Sequence, residues 1–256
     1  MVKQSMWVSF YTFYLKEVKR FLKVWGQTLL GPIIQTSLFL LVFGVSLSGS
    51  HNNNAYTYTQ FLIPGLLMMM IIQNSFANTS SSLLIAKING NIIDILMAPL
   101  SPFLVISGYI LGCITRSAVV SICILLYISL FSTLIFHNIF LLFYYGISGC
   151  ILLGLLGLIA GMLSVKFDQV ANFTNLIITP LSFLSGTFYS IAKLPVFFQN
   201  ISHYNPFFYL IDGFRYSFIG VSDFSIMYGS VTLLIINIIL FVVCIHIWKI
   251  GYKIKS

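Results

Sequence analysis

The sequence predicts an all-α integral membrane domain occupying the whole chain, residues 1–256. It has six transmembrane helices, an N-terminal amphipathic interfacial helix, and re-entrant helices between the fifth and sixth spans. Three observations predict this. Hydrophobic residues make up 59% of the chain and charged residues only 7%, so most of it is compatible with hydrocarbon, where a helix needs about 20 apolar residues to cross. Apolar runs of that size recur along the chain. The few charges gather in segments on one side of the implied membrane.

Residues 1–26 open on an apolar stretch interrupted by Lys16, Glu17, Lys19, Arg20 and Lys23, and no small-residue cleavage site follows, which argues against a secretory signal. At about 100° per residue, Trp7, Tyr11, Tyr14, Val18, Phe21 and Trp25 share one face, with Lys16, Lys19, Arg20 and Lys23 opposite. This is an amphipathic helix in the cytoplasmic interface, either an anchor or a lever that also touches a cytoplasmic partner. Five spans follow within residues 28–190, centred on 28–48, 60–83, 103–133, 139–164 and 171–190. The third exceeds one crossing, so it tilts or begins at the interface.

The second span starts apolar at Pro64–Ile72 and then carries Gln73, Asn74, Asn78, Thr79, Ser80, Ser81 and Ser82. Polar side chains in hydrocarbon need partners, so these either bond to neighbouring helices or line a water-filled path. Residues 86–102 begin polar, turn apolar and end at Pro99 and Pro102, which predicts a short cytoplasmic helix placed to dock into another protein, or else a connector. Residues 191–225 are broken by Pro195 and Pro206 yet rich in Phe and Tyr. Short helices dipping into the outer leaflet suit that composition. Asp212 and Arg215, three apart, suit an outer-mouth ion pair or a substrate gate. The sixth span covers 226–248.

With the N-terminus inside, the cytoplasmic segments hold Lys3, Lys16, Lys19, Arg20, Lys23, Lys87, Lys166, Lys249, Lys253 and Lys255. The outer segments hold only Lys193 and Arg215, and Arg116 lies within the third run. This positive-inside bias places both termini in the cytoplasm. It also accounts for most of the net charge of +8 without nucleic acid as a partner.

Bond-making chemistry needs a nucleophile with a base, a carboxylate pair or a metal site. The carboxylates, Glu17, Asp94, Asp168, Asp212 and Asp223, are widely separated, and His51, His137, His203 and His246 show no ligand spacing. Cys113, Cys123, Cys150 and Cys244 lack a Cys-x-x-Cys pair. No Gly-rich Lys-Ser/Thr loop is present to hold ATP phosphates. The chain is therefore expected to be no enzyme and to bind no metal or cofactor. None of the carboxylates falls clearly at a helix centre, which weakens an ion-coupled secondary transporter.

A set of ordered segments carries a family resemblance. Gln27-Thr28-Leu29-Leu30-Gly31-Pro32 leads to Val42-Phe43-Gly44, followed by Ile63-Pro64-Gly65-Leu66 and Leu96-Met97-Ala98-Pro99-Leu100-Ser101. The stretches Thr179 to Ser190 and Asn205 to Tyr216 complete it. Together they resemble the permease subunits of ABC-2 type exporters, in the short form without a fused ATPase, from about residue 7 to residue 250. The resemblance implies a bacterial inner-membrane homodimer that works with two ATP-binding-cassette subunits, which bind ATP and Mg. It implies that the amphipathic helix and a coupling helix at 86–98 contact those ATPases, the latter through Asn89, Ile92, Ile93, Asp94 and Leu96. The first, second and fifth spans would surround the substrate path, where Asn74, Asn78, Phe183, Thr187 and Phe188 fall. The cargo would be a drug, lipid or glycan. A transporter or channel working without an ATPase, and a membrane anchor for a cytoplasmic assembly, are the competing expectations.

Overall fold

The computed structural model describes residues 6–44, 57–134 and 136–251. Lys3, Lys253, Lys255 and the end of the first expected span lie outside these. Among the described residues the chain is helical throughout, in the order α1 (Met6–Lys23), α2 (Trp25–Phe39), α3 (Tyr58–Ile88), α4 (Ile92–Met97), α5 (Pro102–Ser129) and α6 (Ile139–Leu163). The order continues with α7 (Phe167–Phe173), α8 (Thr179–Leu184), α9 (Val196–Ser202), α10 (Pro206–Ile219) and α11 (Ile226–Ile250). A π-helical turn, Leu40–Gly44, extends α2, and another, Thr174–Ile178, joins α7 to α8.

Local chemistry sets the helix ends. Thr57 and Gln60 form a reciprocal capping box at the start of α3, satisfying two backbone N–H groups that have no intrahelical partner. The Ser101 hydroxyl accepts from Leu104 N ahead of Pro102, and the Asn138 amide oxygen accepts from Leu141 N. Gly220 and Gly251 stop α10 and α11 in the left-handed conformation, at φ 71° and 70°, which a residue without Cβ adopts freely.

Five helical stretches are long and apolar enough to cross a bilayer: Trp25–Gly44, Tyr58–Ile88, Pro102–Ser129, Ile139–Leu163 and Ile226–Ile250. The fifth expected span takes a different form. Residues 167–184 are helical but interrupted by the π turn, and the segment carries Asp168, Gln169, Asn172 and Asn175. At α5 the excess length is explained by one continuous helix of 28 residues, about 42 Å long, which exceeds the hydrocarbon thickness by about 12 Å.

The bundle is organised around α3, 83% of whose apolar window is buried, against 11% for both α2 and α11. Its most extensive partner is α6. Glycines on α6 make the close approach: a Cβ on Gly157 would lie 2.6 Å from Phe76 O, and one on Gly161 would lie 3.0 Å from Ser80 O. Close backbone approach gives dispersion contacts that replace the hydrophobic driving force absent between helices in lipid. Core side chains Met68, Met69, Ile72, Phe76, Leu152 and Leu153 fill the seam.

Two expected faces turn out differently. On α1, Trp7 and Tyr11 are exposed, as is Trp25 at the start of α2, whereas Phe13, Glu17 and Phe21 face the protein and Arg20 is half-buried beside them. Apart from Phe21 the aromatic face is thus outward, and the protein contact lies on its flank, about a quarter-turn away. Phe13 packs edge-on against Tyr109 of α5 at 5.0 Å between ring centroids. In 191–225, α10 is buried along most of its length, with Gly213 seated directly on the Tyr145 ring, whereas α9 exposes Val196, Phe197 and Ile201.

Candidate functional site

Three regions along α3 hold the candidate residues. At its Lys87 end, α1 and the 91–100 segment enclose a groove of about 620 Å³ lined by Ser9, Thr12, Lys16, Asn91, Asp94 and Leu100, among others. The expected coupling residues divide here. Ile92 and Ile95 turn inward and join Phe13, Leu83, Val105 and Ile106 in a core cluster. Ile92, expected among the coupling residues, is thus held in the chain's own core beside Ile95, because a six-residue helix lying on a bundle must bury one side. Asn89 and Asp94 are exposed, and so are Ile93 (58%), Leu96 (36%) and Met97 (81%).

This end is also tied to the entry of the interrupted segment. Lys87 Nζ donates to the carbonyls of Met162 and Ser164 at 2.9 and 2.7 Å and to Gly161 O at 3.4 Å. An ammonium on the last carbonyls of α6 complements the helix dipole. It joins α3, α6 and the connection into α7 at one point.

Midway along α3 lies a buried charged cluster that sequence reasoning missed. Arg20 donates to the Asn78 backbone O at 2.9 Å and to Asn78 Oδ1 at 2.6 Å, and Arg116 Nη1 donates to the same Oδ1 at 3.1 Å. Arg20 Nε also pairs with Glu17 Oε2 at 3.3 Å, and Ser82 Oγ donates to that oxygen at 2.7 Å. Gly112 of α5 admits Glu17 by lacking a side chain: its Cβ would meet Glu17 Cβ at 2.8 Å. Two guanidiniums share one amide oxygen here, which only charge-assisted bonds in a water-poor setting sustain. The signals were present in Glu17 and Arg20 at i,i+3 and in a lone arginine within an apolar run.

Other polar residues of α3 bond to neighbouring helices. Ser75 Oγ meets Ser117 Oγ at 2.9 Å, and Thr79 Oγ1 donates to Gly154 O at 2.8 Å. Asn74 is half-buried and its amide donates to Met70 O of its own helix at 3.0 Å. Asn74 and Asn78 are thus bonded within the bundle, several turns of α3 from the aromatic residues at its Tyr58 end.

At the Tyr58 end, Phe183 and Phe188 stack with centroids 5.4 Å apart, and Phe43 lies 4.6 Å from Phe188. With Phe39 they join the end of α2 to the 183–188 bend. Thr187 is fully buried and its hydroxyl donates to Ser182 O at 2.7 Å. Tyr58 OH donates to Phe188 O at 2.9 Å. Gly186 has φ +81° and is buried against Tyr189 O and Ile191, so its lack of a Cβ serves this bend.

Asp212 and Arg215, expected as an ion pair, each hold a further anchor. Arg215 Nη2 donates to Gly186 O, and its guanidinium lies 3.9 Å from the Phe61 ring centroid, a cation–π geometry. Asp212 accepts from Asp223 N at 2.8 Å and Phe224 N at 3.2 Å. Asp223 in turn accepts from Ser190 Oγ at 2.7 Å and Ile191 N at 2.9 Å. Two carboxylates thus fasten α10, the 220–225 turn and the 190–191 bend in series.

Burial pushes the Asp212 carboxyl up from 3.8 to about 6, against the lowering effect of its two backbone donors and of Arg215. A raised carboxyl pKa favours the folded state at low pH, and that contribution is lost as pH rises through about 6. This group alone is expected to stabilise the protein by on the order of 2–3 kcal/mol as pH falls from about 7 to 4. Thermal unfolding of detergent-solubilised protein across this range should show the slope. Asp212→Asn should flatten it, and an unchanged slope would assign it to another group.

A bundle with one central helix, two sparsely buried flanking spans and a groove at one end defines a polytopic α-helical membrane protein. Comparison with known proteins specifies it further: the chain belongs to the ABC-2 type transporter family, whose model matches residues 8–219. It is the transmembrane component of an ABC transporter, of a permease class that is typically non-catalytic and associates with ATPase subunits. The inner membrane transport permease YadH of Escherichia coli (strain K12) is 33% identical over 252 residues, covering 98% of each chain. The protein of the same name from Shigella flexneri matches equally. Nodulation protein J of Rhizobium leguminosarum bv. viciae is 35% identical over 65 residues, 25% of each chain.

Proposed function

We propose that this chain forms the cargo path of an ATP-driven exporter in a bacterial inner membrane. Two copies face each other through α2 and the 167–184 segment, and each engages one ATP-binding-cassette subunit that holds ATP and Mg. Both termini are cytoplasmic, which puts the Lys87 end inside. Residues 167–184 complete a sixth crossing, and α9 and α10 form the re-entrant outer cap. The cargo is a drug, lipid or glycan. The relatives named as inner membrane transport permeases support the location, and the one-sided lysines support the orientation.

The observation that carries this reading is the division of labour at α4. Ile92 and Ile95 join it to the core, while Ile93, Leu96 and Met97 form an exposed apolar ridge beside the groove under α1. Apolar side chains on a cytoplasmic helix suit a partner's pocket. Force applied there passes through Lys87 to the start of α7, and through α1 and the Glu17–Arg20–Asn78–Arg116 cluster to α3 and α5.

The test is copurification with a co-expressed ATP-binding-cassette subunit from the same organism. Ile93→Asp and Met97→Asp should each reduce its recovery at least tenfold, by putting a charge into an apolar contact, without lowering membrane yield. Ile92→Asp should instead lower the yield itself, since it places that charge in the chain's own core. Full ATPase recovery with both ridge variants would leave α4 as a connector.

A further inference from the structure

The charged cluster on α3 carries more positive than negative charge. Arg20 pairs with Glu17 at 3.3 Å. Arg116 has no carboxylate partner, although all five Asp and Glu side chains of the chain lie among the described residues. Arg20 Nη2 and Arg116 Nη1 both donate to Asn78 Oδ1, at 2.6 and 3.1 Å, so these two nitrogens lie within about 6 Å of each other. Like charges that close in a water-poor setting repel one another unless an anion joins them. Glu17 serves only Arg20 of the two.

The donors left over show where an anion fits. Arg20 Nε is used by Glu17 and its Nη2 by Asn78. Arg20 Nη1 and Arg116 Nη2 are left without an acceptor among the described residues, and neither atom is sealed inside the protein. The Arg20 side chain is 23% exposed, and Arg116 is half-buried. Arg116 Nε is sealed and unpartnered, so this guanidinium makes one bond out of its several N–H donors.

The depth suits a lipid head. Asn78 lies about 15 Å from the Ile88 end of α3, and α3, at 31 residues, is about 46 Å long. It exceeds the hydrocarbon by about 16 Å, which puts the cluster near one hydrocarbon boundary. Arginine stems span the remaining distance to the phosphates, and Arg20 stands in the last turn of amphipathic α1.

From this geometry we infer that Arg20 and Arg116 together bind the phosphodiester of an anionic bilayer phospholipid. The phosphoryl oxygens bridge Arg20 Nη1 and Arg116 Nη2, since one tetrahedral oxyanion accepts from two guanidiniums at this spacing. A head that carries its own fixed cation suits the site less, because the cluster is already positive. The lipid is a fixed part of the joint between α1, α3 and α5, not cargo, and the inference stands without the exporter reading.

The test uses the full chain in nanodiscs of phosphatidylcholine, alone or with a minor fraction of phosphatidylglycerol, and two head-group photoprobes of identical acyl chains, one for each lipid. The phosphatidylglycerol probe should label α1 and α5 about tenfold more than the phosphatidylcholine probe, and phosphatidylglycerol should raise the thermal midpoint by several degrees. Arg116→Gln should abolish both effects. It should also leave the midpoint in pure phosphatidylcholine unchanged or higher, because it removes the uncompensated cation. Lys19→Gln combined with Lys23→Gln, which discharges two exposed residues of α1, should leave both effects in place. Free glycerol phosphate should reproduce neither.

Equal labelling by the two probes would reduce the site to ordinary lipid contact. A preference that survives Arg116→Gln, or that disappears with the lysine pair, would make it general attraction to a basic helix. A midpoint rise with glycerol phosphate would make it a site for a soluble phosphate compound. If Arg116→Gln destabilises the protein equally with and without phosphatidylglycerol, Arg116 serves the fold alone. Each of these overturns the inference.

Discussion

Gly157→Leu is expected to leave almost no folded protein in the membrane. Its Cβ would lie 2.6 Å from Phe76 O and collide with the Thr79 hydroxyl, and neither can retreat. The carbonyl belongs to the α3 backbone, and Thr79 Oγ1 is bonded to Gly154 O. Relief requires the two most extensively paired helices to separate, opening the seam filled by Met68, Ile72, Phe76 and Leu153. The cost is about 4 kcal/mol or more, at the upper end of overpacking effects. Monodisperse yield after detergent extraction measures it. Gly31→Ala is the control, since nothing lies within 4 Å of a Cβ there. Equal yields for both variants would mean that α3 and α6 do not approach as closely as described.

Arg20→Met should produce the second large effect. It removes the partner of a carboxylate that is 2% exposed and two donors to Asn78, leaving Glu17 with Ser82 alone. Breaking a buried ion pair from one side costs about 3–5 kcal/mol, because the remaining charge stays desolvated. Adding Glu17→Gln should recover part of that loss. A double-mutant cycle on thermal stability reads the coupling, and strict additivity would show that the two side chains act independently. Because this cluster holds α1 against α3 and α5, the single variant should also make α1 more accessible to protease.

Much of this was legible along the chain. Hydrocarbon-length apolar runs dictate helices, since backbone groups in lipid must bond internally. Periodicity located α1, and Pro99 and Pro102 marked the turn after α4. The interrupted form of 167–184 was partly legible too, in Asn172, Asn175 and Pro180, which the local hydrophobicity of 171–190 outweighed. The inward turn of Ile92 and Ile95 was not, because a six-residue helix shows too few turns to reveal which side is covered. Nor was the fate of Asp212 and Arg215. An i,i+3 spacing permits a pair, but it does not show the further bonds to Gly186 O and to the backbone N–H groups of Asp223 and Phe224.

Composition and order alone determined that the chain is an α-helical membrane protein, about where its helices run, and which family it resembles. These properties follow from transfer free energies and backbone bonding, which each segment expresses by itself. Tertiary structure alone decided which helix is central, that Arg20 and Arg116 converge on Asn78, and that Lys87 closes the end of α6. It also decided that the Ser164 hydroxyl is buried without a hydrogen-bond partner. Such facts depend on the rotation of one helix against another. That rotation is set by contacts between residues tens of positions apart, such as Phe76 with Gly157 or Glu17 with Gly112, which no local window of sequence contains.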